Sequence, residues 1–430
     1  MRISNLMIIV IILTPLNLLF GQTNDSNFLK NYKAPDFKFR TLTLRLSSWG
    51  EGVITKENKV SLNFSTNYKV VENTSKKQGT HNLGINVTLN YSEDKTLDIY
   101  GAQHNTRLAN RFDKKYFLRN NWFYGIADYS SFSISNYYKH DSITNKYDLG
   151  ILNINPSFSI GKGRLEPVKY ARKAMDIEKM LLKSNLLSIP LTTEQRTELS
   201  NEITQIENKR FFDRRLGRIY QLEAIDSLLK KMEVLNSDGV KYFSTITDAY
   251  LYSHHIERYS GKQLELGIIE GLQFWSSQDM AKPARHGTFG FLQFSAYLPK
   301  SYRIQHNFKS SLAVGYEKTQ YSQIIEGYKS IFTTAYSFGY YPSTRTYIDL
   351  NIFGGADLTN FEGFAGTKLN IYYYLSPNFR FNMTTSIWSR TLNSVMNNYS
   401  NALSNYNFHQ EGLNTSQDYS FQLGLSYAIF

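Results

Sequence analysis

The sequence contains no cysteine. Structural disulfides, thiolate metal sites, a cysteine nucleophile and a bacterial lipoprotein anchor are therefore excluded. Long apolar runs are nearly absent too. One stretch, Leu6 to Phe20, stands at the start, and nothing after it approaches the ~20 residues a spanning helix needs. Mean hydropathy is −0.40, which excludes a bundle of membrane helices. The motifs HExxH, P-loop and GxSxG do not occur. Ring surface, by contrast, is plentiful. The 430 residues include 32 Tyr, 28 Phe and 4 Trp, far more than disordered chains carry. The length exceeds one ordinary soluble domain and suits two or three, or one barrel with a large insertion.

Arg2, the apolar stretch Leu6 to Phe20 and the small residue Gly21 before Gln22 read as a secretory signal peptide over 1–21, with cleavage after Gly21. Pro15 and the shortness of the stretch argue against an uncleaved anchor. The mature chain is then either a soluble exported protein or a membrane β-barrel.

Alternation decides between these. In Val60-Leu62-Phe64-Thr66-Tyr68-Val70 the intervening residues are Ser61, Asn63, Ser65, Asn67 and Lys69. Leu83 to Tyr91, Tyr302 to Tyr316, Phe379 to Ile387 and Tyr419 to Ile429 repeat the pattern. Successive strand side chains point to opposite faces, so each segment has one apolar and one polar face. The segments are long enough to cross hydrocarbon as tilted strands, and their polar faces are rich in Asn, Ser and Gly, as a wet lumen requires. Clusters such as Trp122-Phe123-Tyr124 and Tyr372-Tyr373-Tyr374 suit interfacial girdles.

The final residues, GLSYAIF ending on Phe430 with Tyr427 before it, resemble the terminal strand of Gram-negative outer-membrane barrels. The apolar alternation on Leu425, Tyr427 and Ile429 runs one residue out of phase with Phe430. The resemblance implies recognition of this strand by the barrel assembly machinery.

Counting back from Phe430 by loop length predicts eight strands from about Lys262, with turns at Pro299, Tyr341-Pro342 and Ser376-Pro377 and a long Asn-rich loop over 392–417. Six more are predicted over 59–71, 81–91, 96–103, 115–125, 129–140 and 146–160. The total is about 14, with 12 to 16 open, because residues 37–48 are also strand-like. The predicted organisation is signal peptide 1–21, an N-terminal periplasmic segment 22–58, barrel 59–161, helical insertion 162–261 and barrel 262–430.

Within the insertion the period changes. Tyr170, Ala174, Ile177 and Leu181 follow helical spacing, as do Leu199, Ile203 and Ile206, and Ile225, Leu229 and Met232. Pro167 suits a first turn, Pro190 ends a helix, and Thr192 with Gln195 reads as a capping box. Two long helices over about 166–236 are predicted, or three if Gly217 breaks the second. The block, from GKGRLEPV at 161–168 through KRFFDRR to IYQLEAIDSLL, resembles a helical insertion of uncharacterised bacterial outer-membrane barrels, a resemblance that carries no established activity. The fold class expected is thus all-β with an α insertion: a transmembrane antiparallel β-barrel with a helical periplasmic domain.

Lys209, Arg210, Arg214, Arg215 and Arg218 cluster around Phe211 and Phe212. They form a candidate docking patch for an acidic partner, or else a solvated helix face. Arg303, Lys309, Glu317, Lys329 and Arg380 are candidate lumen-lining residues. His254-His255 cannot chelate one ion from opposite faces of a strand, and His286 and His409 fall in predicted loops near Asp279 and Glu411. No catalytic, cofactor or metal residue is assigned, and the chain is read as no enzyme. The net charge of +12 suits lipopolysaccharide or acidic solutes; export argues against nucleic acid. The first functional reading is an outer-membrane anchor that docks a periplasmic or envelope protein in assembly, secretion or surface-polymer export. The alternative is a channel or uptake porin for small or acidic solutes. A soluble secreted β-protein is the third reading.

Overall fold

The structure is a computed structural model. It describes residues 24–427 except 54–56, 95–98, 141–144, 210–212, 238, 253–256, 278–283, 321–323, 360–361, 377–378 and 391–418. The expected signal peptide, His254-His255, Asp279, Arg210, Phe211, Phe212, His409, Glu411 and Phe430 lie outside the described residues.

Fourteen strands follow one another in a single antiparallel sheet. They are β1 (Phe37–Val53), β2 (Glu57–Asn73), β3 (Lys77–Asp94), β4 (Ile99–Phe117), β5 (Trp122–His140) and β6, which runs as Asn145–Ile154 and continues as Pro156–Gly163. After the helical domain come β7 (Tyr259–Ser277), β8 (Ala284–Pro299), β9 (Ile304–Gln320), β10 (Ile324–Tyr340), β11 (Thr346–Asp357), β12 (Glu362–Tyr374), β13 (Phe379–Arg390) and β14 (Tyr419–Tyr427). The two segments of β6 keep one register against both β5 and β7, so they act as one strand. Among the described residues no pairing joins β1 to β14.

The total of fourteen hides two corrections in the N-terminal half. Residues 37–48 do pair, as part of β1. The expected strands 96–103, 115–125 and 129–140 are two strands, β4 and β5, joined by the tight turn Arg119–Asn121. Asn120 and Asn121 both take φ 58°, a left-handed conformation that asparagine tolerates. Residues 104–114 were hidden because the outward positions of β4 include His104, Thr106 and Asn110, which erase the alternation that marks a half-apolar strand.

One face of the sheet is apolar and open. Leu266 and Ile268 on β7 are 55% and 59% exposed, and Leu42, Phe64, Leu83, Ile134, Val314 and Leu423 are exposed likewise. Such a surface, on strands of up to 19 residues, is fitted to hydrocarbon rather than water. Among the described residues no helix is long and apolar enough to cross a membrane.

The opposite face is concave. Lys115 on β4 reaches Glu265 on β7, with Nζ 2.8 Å from Oε2. Three strand spacings would separate these strands by ~14 Å in a flat sheet. Side chains on this inner face lie along the wall. Phe353 stands opposite Gly366 and Phe364 opposite Gly355, each ring covering the partner glycine, where a Cβ would meet ring carbon at 2.6 Å and 2.7 Å. Ring-on-glycine pairs of this kind pin register and curvature.

The helical domain holds α2 (Lys169–Lys183), α3 (Thr193–Asn208), α4 (Arg214–Lys231) and α5 (Val240–Tyr252); α1 (Asn24–Asn31) precedes β1. Among the described residues three helices, α2, α3 and α4, fall within 166–236, where two or three were expected, and α5 lies beyond that span. Gly217 breaks none of them, and the last was missed because its β-branched and aromatic residues mask the helical spacing of Tyr242, Ile246 and Ala249. Thr192 and Gln195 form the expected reciprocal cap. The domain core joins Ile177, Leu181, Leu199, Ile203, Ile225, Leu229, Tyr242 and Ile246.

Candidate functional site

The helical domain is fixed to one end of the sheet by buried cations. Arg258, just before β7, donates from Nε to Gln305 Oε1 at 2.5 Å, from Nη1 to the Tyr302 carbonyl at 2.6 Å and from Nη2 to the Ser301 carbonyl at 3.2 Å. Its own carbonyl accepts the Val168 N–H at the start of α2. Burial lowers the Arg258 pKa to about 10, so it stays charged at neutral pH. The guanidinia of Arg258 and Arg172 both lie over the Tyr341 ring, at 4.5 Å and 4.2 Å. Tyr341 stacks on Tyr347 and Tyr347 on Tyr372, which carries the contact into β11 and β12.

Further ties surround this column. Lys179 pairs with Asp25 at 2.5 Å and lies over the Tyr302 ring. Ser26 donates to the Pro299 carbonyl. Phe28, Leu29 and Tyr32 of the α1 region pack on Val168, Ala171 and Met175 of the α2 region. Arg345, between β10 and β11, pairs with Asp248 of α5 at 2.6 Å. Phe37 of β1 meets Tyr170 edge-on. The block thus touches β1 and the turn before β11, ten strand spacings apart. That is ~48 Å along a flat sheet, against the 20–30 Å width of three packed helices. The sheet therefore curls around the domain.

Inside the domain, Lys173 is buried, with Nζ 2.5 Å from Glu207 and 3.4 Å from the Tyr250 ring centre. Burial pushes its ammonium down to about 8, against the opposing pull of Glu207. Burial raises the Asp176 carboxyl, with Arg172 pulling the other way.

The expected basic patch is divided. Lys209 is exposed at the end of α3 and lies over the Tyr220 ring at 3.9 Å. Arg215 and Arg218 are exposed on the first turns of α4, which Asp213 caps by accepting from Arg215 and Leu216 N–H. Arg214 opens α4, and Arg210 lies outside the described residues. Leu216 and Ile219 are exposed beside Arg215 and Arg218, at 55% and 46%. A cavity of about 400 Å³ opens between β1 and the end of α3, lined by Lys38, Phe39, Arg40, Glu207, Asn208 and Lys209. Sequence reasoning did not link Lys38 and Arg40 to Lys209. Their alternation in FKFR was the available signal, but the partner helix lies far away in the chain.

Of the candidate lumen residues, Lys309, Glu317 and Lys329 lie on the inner face with Ser311, Ala313 and Ile331. Glu317 pairs with Arg285 on β8, and Lys329 with Asp357 on β11 at 3.6 Å. Beneath these ion pairs Ile269, Phe289, Ala313 and Ile331 form a buried apolar patch. Arg380 occupies the position opposite Tyr374. Arg303 is a correction. It sits in the turn before β9, exposed, with Nε donating to the Tyr302 hydroxyl, and lines no lumen. His286 lies in strand β8 rather than in a loop, and pairs with Glu270 of β7.

No family model and no curated protein matches the chain. Among solved structures it is similar to the translocator domain of the autotransporter NalP from Neisseria meningitidis, at 5% identity over 82% of this chain and 92% of that one, with a TM-score of 0.34. The alcaligin outer membrane receptor FauA from Bordetella pertussis gives 7% identity over 84% of this chain and 52% of that one, with a TM-score of 0.32. The TodX monoaromatic hydrocarbon channel, as its deltaS2 mutant, gives 6% identity over 85% and 86%, with a TM-score of 0.32.

Proposed function

We propose that this chain is an outer-membrane β-barrel of a Gram-negative envelope, exported with a cleaved signal peptide. In this reading it anchors a periplasmic helical domain that docks an acidic envelope protein in assembly, secretion or surface-polymer export. One observation carries the reading. Leu216 and Ile219 stay exposed beside Arg215 and Arg218, on a helix held by a domain that is itself latched to the barrel. An apolar pair flanked by cations is what a docking face for an acidic, partly apolar segment requires. The barrel assembly machinery is the second proposed partner, through β14. Neither role needs bond-making chemistry, so the proposal is of a non-enzymatic protein.

The test uses the detergent-purified mature chain, immobilised and offered envelope extract. The native chain should retain a defined acidic protein, and Arg215→Glu with Arg218→Glu should lose it while keeping the helical circular dichroism. Equal recovery by both chains overturns the docking role. The alternative reading, a channel for small or acidic solutes, has less support. Lys329, a candidate cation for such solutes, pairs with Asp357, and the Glu317 carboxylate pairs with Arg285. Steady conductance in planar bilayers would reinstate it.

A further inference from the structure

The cavity where β1 meets the end of α3 is lopsided in charge. Its wall carries Lys38 and Arg40 of β1 and Lys209 beside α3. All three side chains are exposed. The one carboxylate in the lining, Glu207, takes the buried Lys173 ammonium at 2.5 Å. Glu72 stands opposite Lys38 on β2, yet among the described residues neither Lys38 nor Arg40 has an ion-pair partner. An excess of cations around about 400 Å³ is the chemistry of an anion site with room for a phosphodiester. The Arg40 guanidinium can offer a phosphate two parallel donors, and the lysines add point charge.

The strand indicates which anion. Lys38 and Arg40 continue the alternation of Leu42, Leu44 and Leu46 on the face turned to hydrocarbon. These leucines are 66%, 66% and 76% exposed. From Arg40 to Leu46 the strand runs ~20 Å, which is ~14 Å of depth at a ~45° tilt. That is about half of a ~30 Å hydrocarbon core, the depth of one leaflet. The cavity therefore opens at the headgroup level, at the top of an apolar track one acyl chain long. A soluble anion would meet the cations and leave the track uncovered, whereas a lipid covers both. Elsewhere on this rim outward lysines lie over rings, Lys77 over Tyr116 at 5.5 Å and Lys162 over Trp122 at 5.6 Å. On β1 the cations face the cavity instead.

We infer that this cavity binds the headgroup of an anionic glycerophospholipid. Its phosphate sits among Lys38, Arg40 and Lys209, and its acyl chains lie along Leu42, Leu44 and Leu46. The bound lipid joins α3 to β1 beside the contact of Phe37 with Tyr170. The inference rests on the sheet spanning a membrane and is independent of the docking residues Arg215 and Arg218.

The test titrates the full mature chain, purified in detergent, with phosphatidylglycerol and reads retained lipid by native mass spectrometry. One phosphatidylglycerol should stay bound per chain, about tenfold more tightly than phosphatidylcholine. Lys38→Gln with Arg40→Gln should abolish that preference. Arg215→Glu with Arg218→Glu should keep it, which separates this site from the docking face. Free glycerol phosphate at the same concentration should leave the lipid in place. If the β1 variant fails to fold, as judged by heat-dependent gel mobility, the two-lipid comparison and the glycerol phosphate competition in the unmutated chain decide. Equal binding of the two lipids, displacement by glycerol phosphate, or an equal loss in the Arg215 and Arg218 variant overturns the inference. A chain that does not enter lipid nanodiscs overturns the spanning sheet and the site together. A chain that enters without the lipid preference overturns the site alone.

Discussion

Lys115 lies directly opposite Gly125, and that pairing lets its ammonium pass over β5 and β6 to Glu265. A Cβ at 125 would stand 2.4 Å from Ser159 Oγ and 3.8 Å from Lys115 Cγ. Ser159 in turn donates to Glu265 Oε1 at 2.6 Å, and Gln263 accepts from Lys115 at 2.7 Å. Three strands, β4, β6 and β7, are thus tied on the inner face by one hydrogen-bonded cluster that crosses over Gly125 of β5.

Removing the cation alone should be severe. Lys115→Ala leaves Glu265 buried and unpaired, and a loss of ~3–5 kcal/mol is expected. Lys115→Met together with Glu265→Met should recover most of it. Urea unfolding in detergent, followed by tryptophan fluorescence, measures both.

Gly366→Val should impair folding more than a typical glycine substitution in a strand. The new Cβ would meet Phe353 ring carbon at 2.6 Å and the Ile387 carbonyl at 3.0 Å, on two neighbouring strands. Phe353→Ala in the same chain should relieve the ring clash but not the backbone one. The fraction refolded, read by heat-dependent gel mobility, should therefore rise only in part.

Arg258→Met should free the helical domain from the sheet. It strips the donor from two turn carbonyls and the Gln305 side chain, which costs ~3 kcal/mol or more in buried groups left unmet. Limited proteolysis should then cut near residues 253–258 at rates at least several-fold above the native chain. Far-UV helical signal should be retained, since the domain core of α2, α3, α4 and α5 does not include Arg258.

The helical domain should gain stability as pH rises from about 8 to 10.5. In that window the unfolded chain holds the Lys173 proton and the folded one has shed it, so the unfolded state binds more protons and stability increases with pH. Below about 8 both states are charged and the burial penalty is present in full. Thermal melts of the helical signal across this range should show the slope, and Lys173→Met should remove it.

Strands such as β2, β3 and β13 were legible because each has one apolar face, which gives the sequence a period of two. β4 was not, because its outer face is polar for a reason that lies in other strands. The phase of alternation also failed at Arg303. It continues the polar series of β9 in sequence, yet Ser301 accepts its N–H in the turn before the strand begins. Periodicity says which face a residue would take and is silent on where pairing starts. The ion pairs of Glu317 with Arg285 and of Lys329 with Asp357 were unreadable for a related cause, since both depend on register between strands. The basic patch of Lys209, Arg214, Arg215 and Arg218 was legible as a charge cluster. Its apolar members Leu216 and Ile219 became meaningful only once the core of the domain was seen to leave them out.

The placement of the helical domain between β6 and β7 bears on the order of folding. Residues 164–258 leave the sheet and return to adjacent strands, with Arg164 and Glu166 paired near Tyr259 at the neck. Joining β6 to β7 through an unstructured excursion of that length would carry the full loop-closure entropy. Helices form through local contacts and reach their structure quickly. A bundle that folds first brings Gly163 and Tyr259 together as though by a short hairpin, turning the slowest pairing in the sheet into a local one. The helical domain would then have served as the template on which two half-sheets found each other.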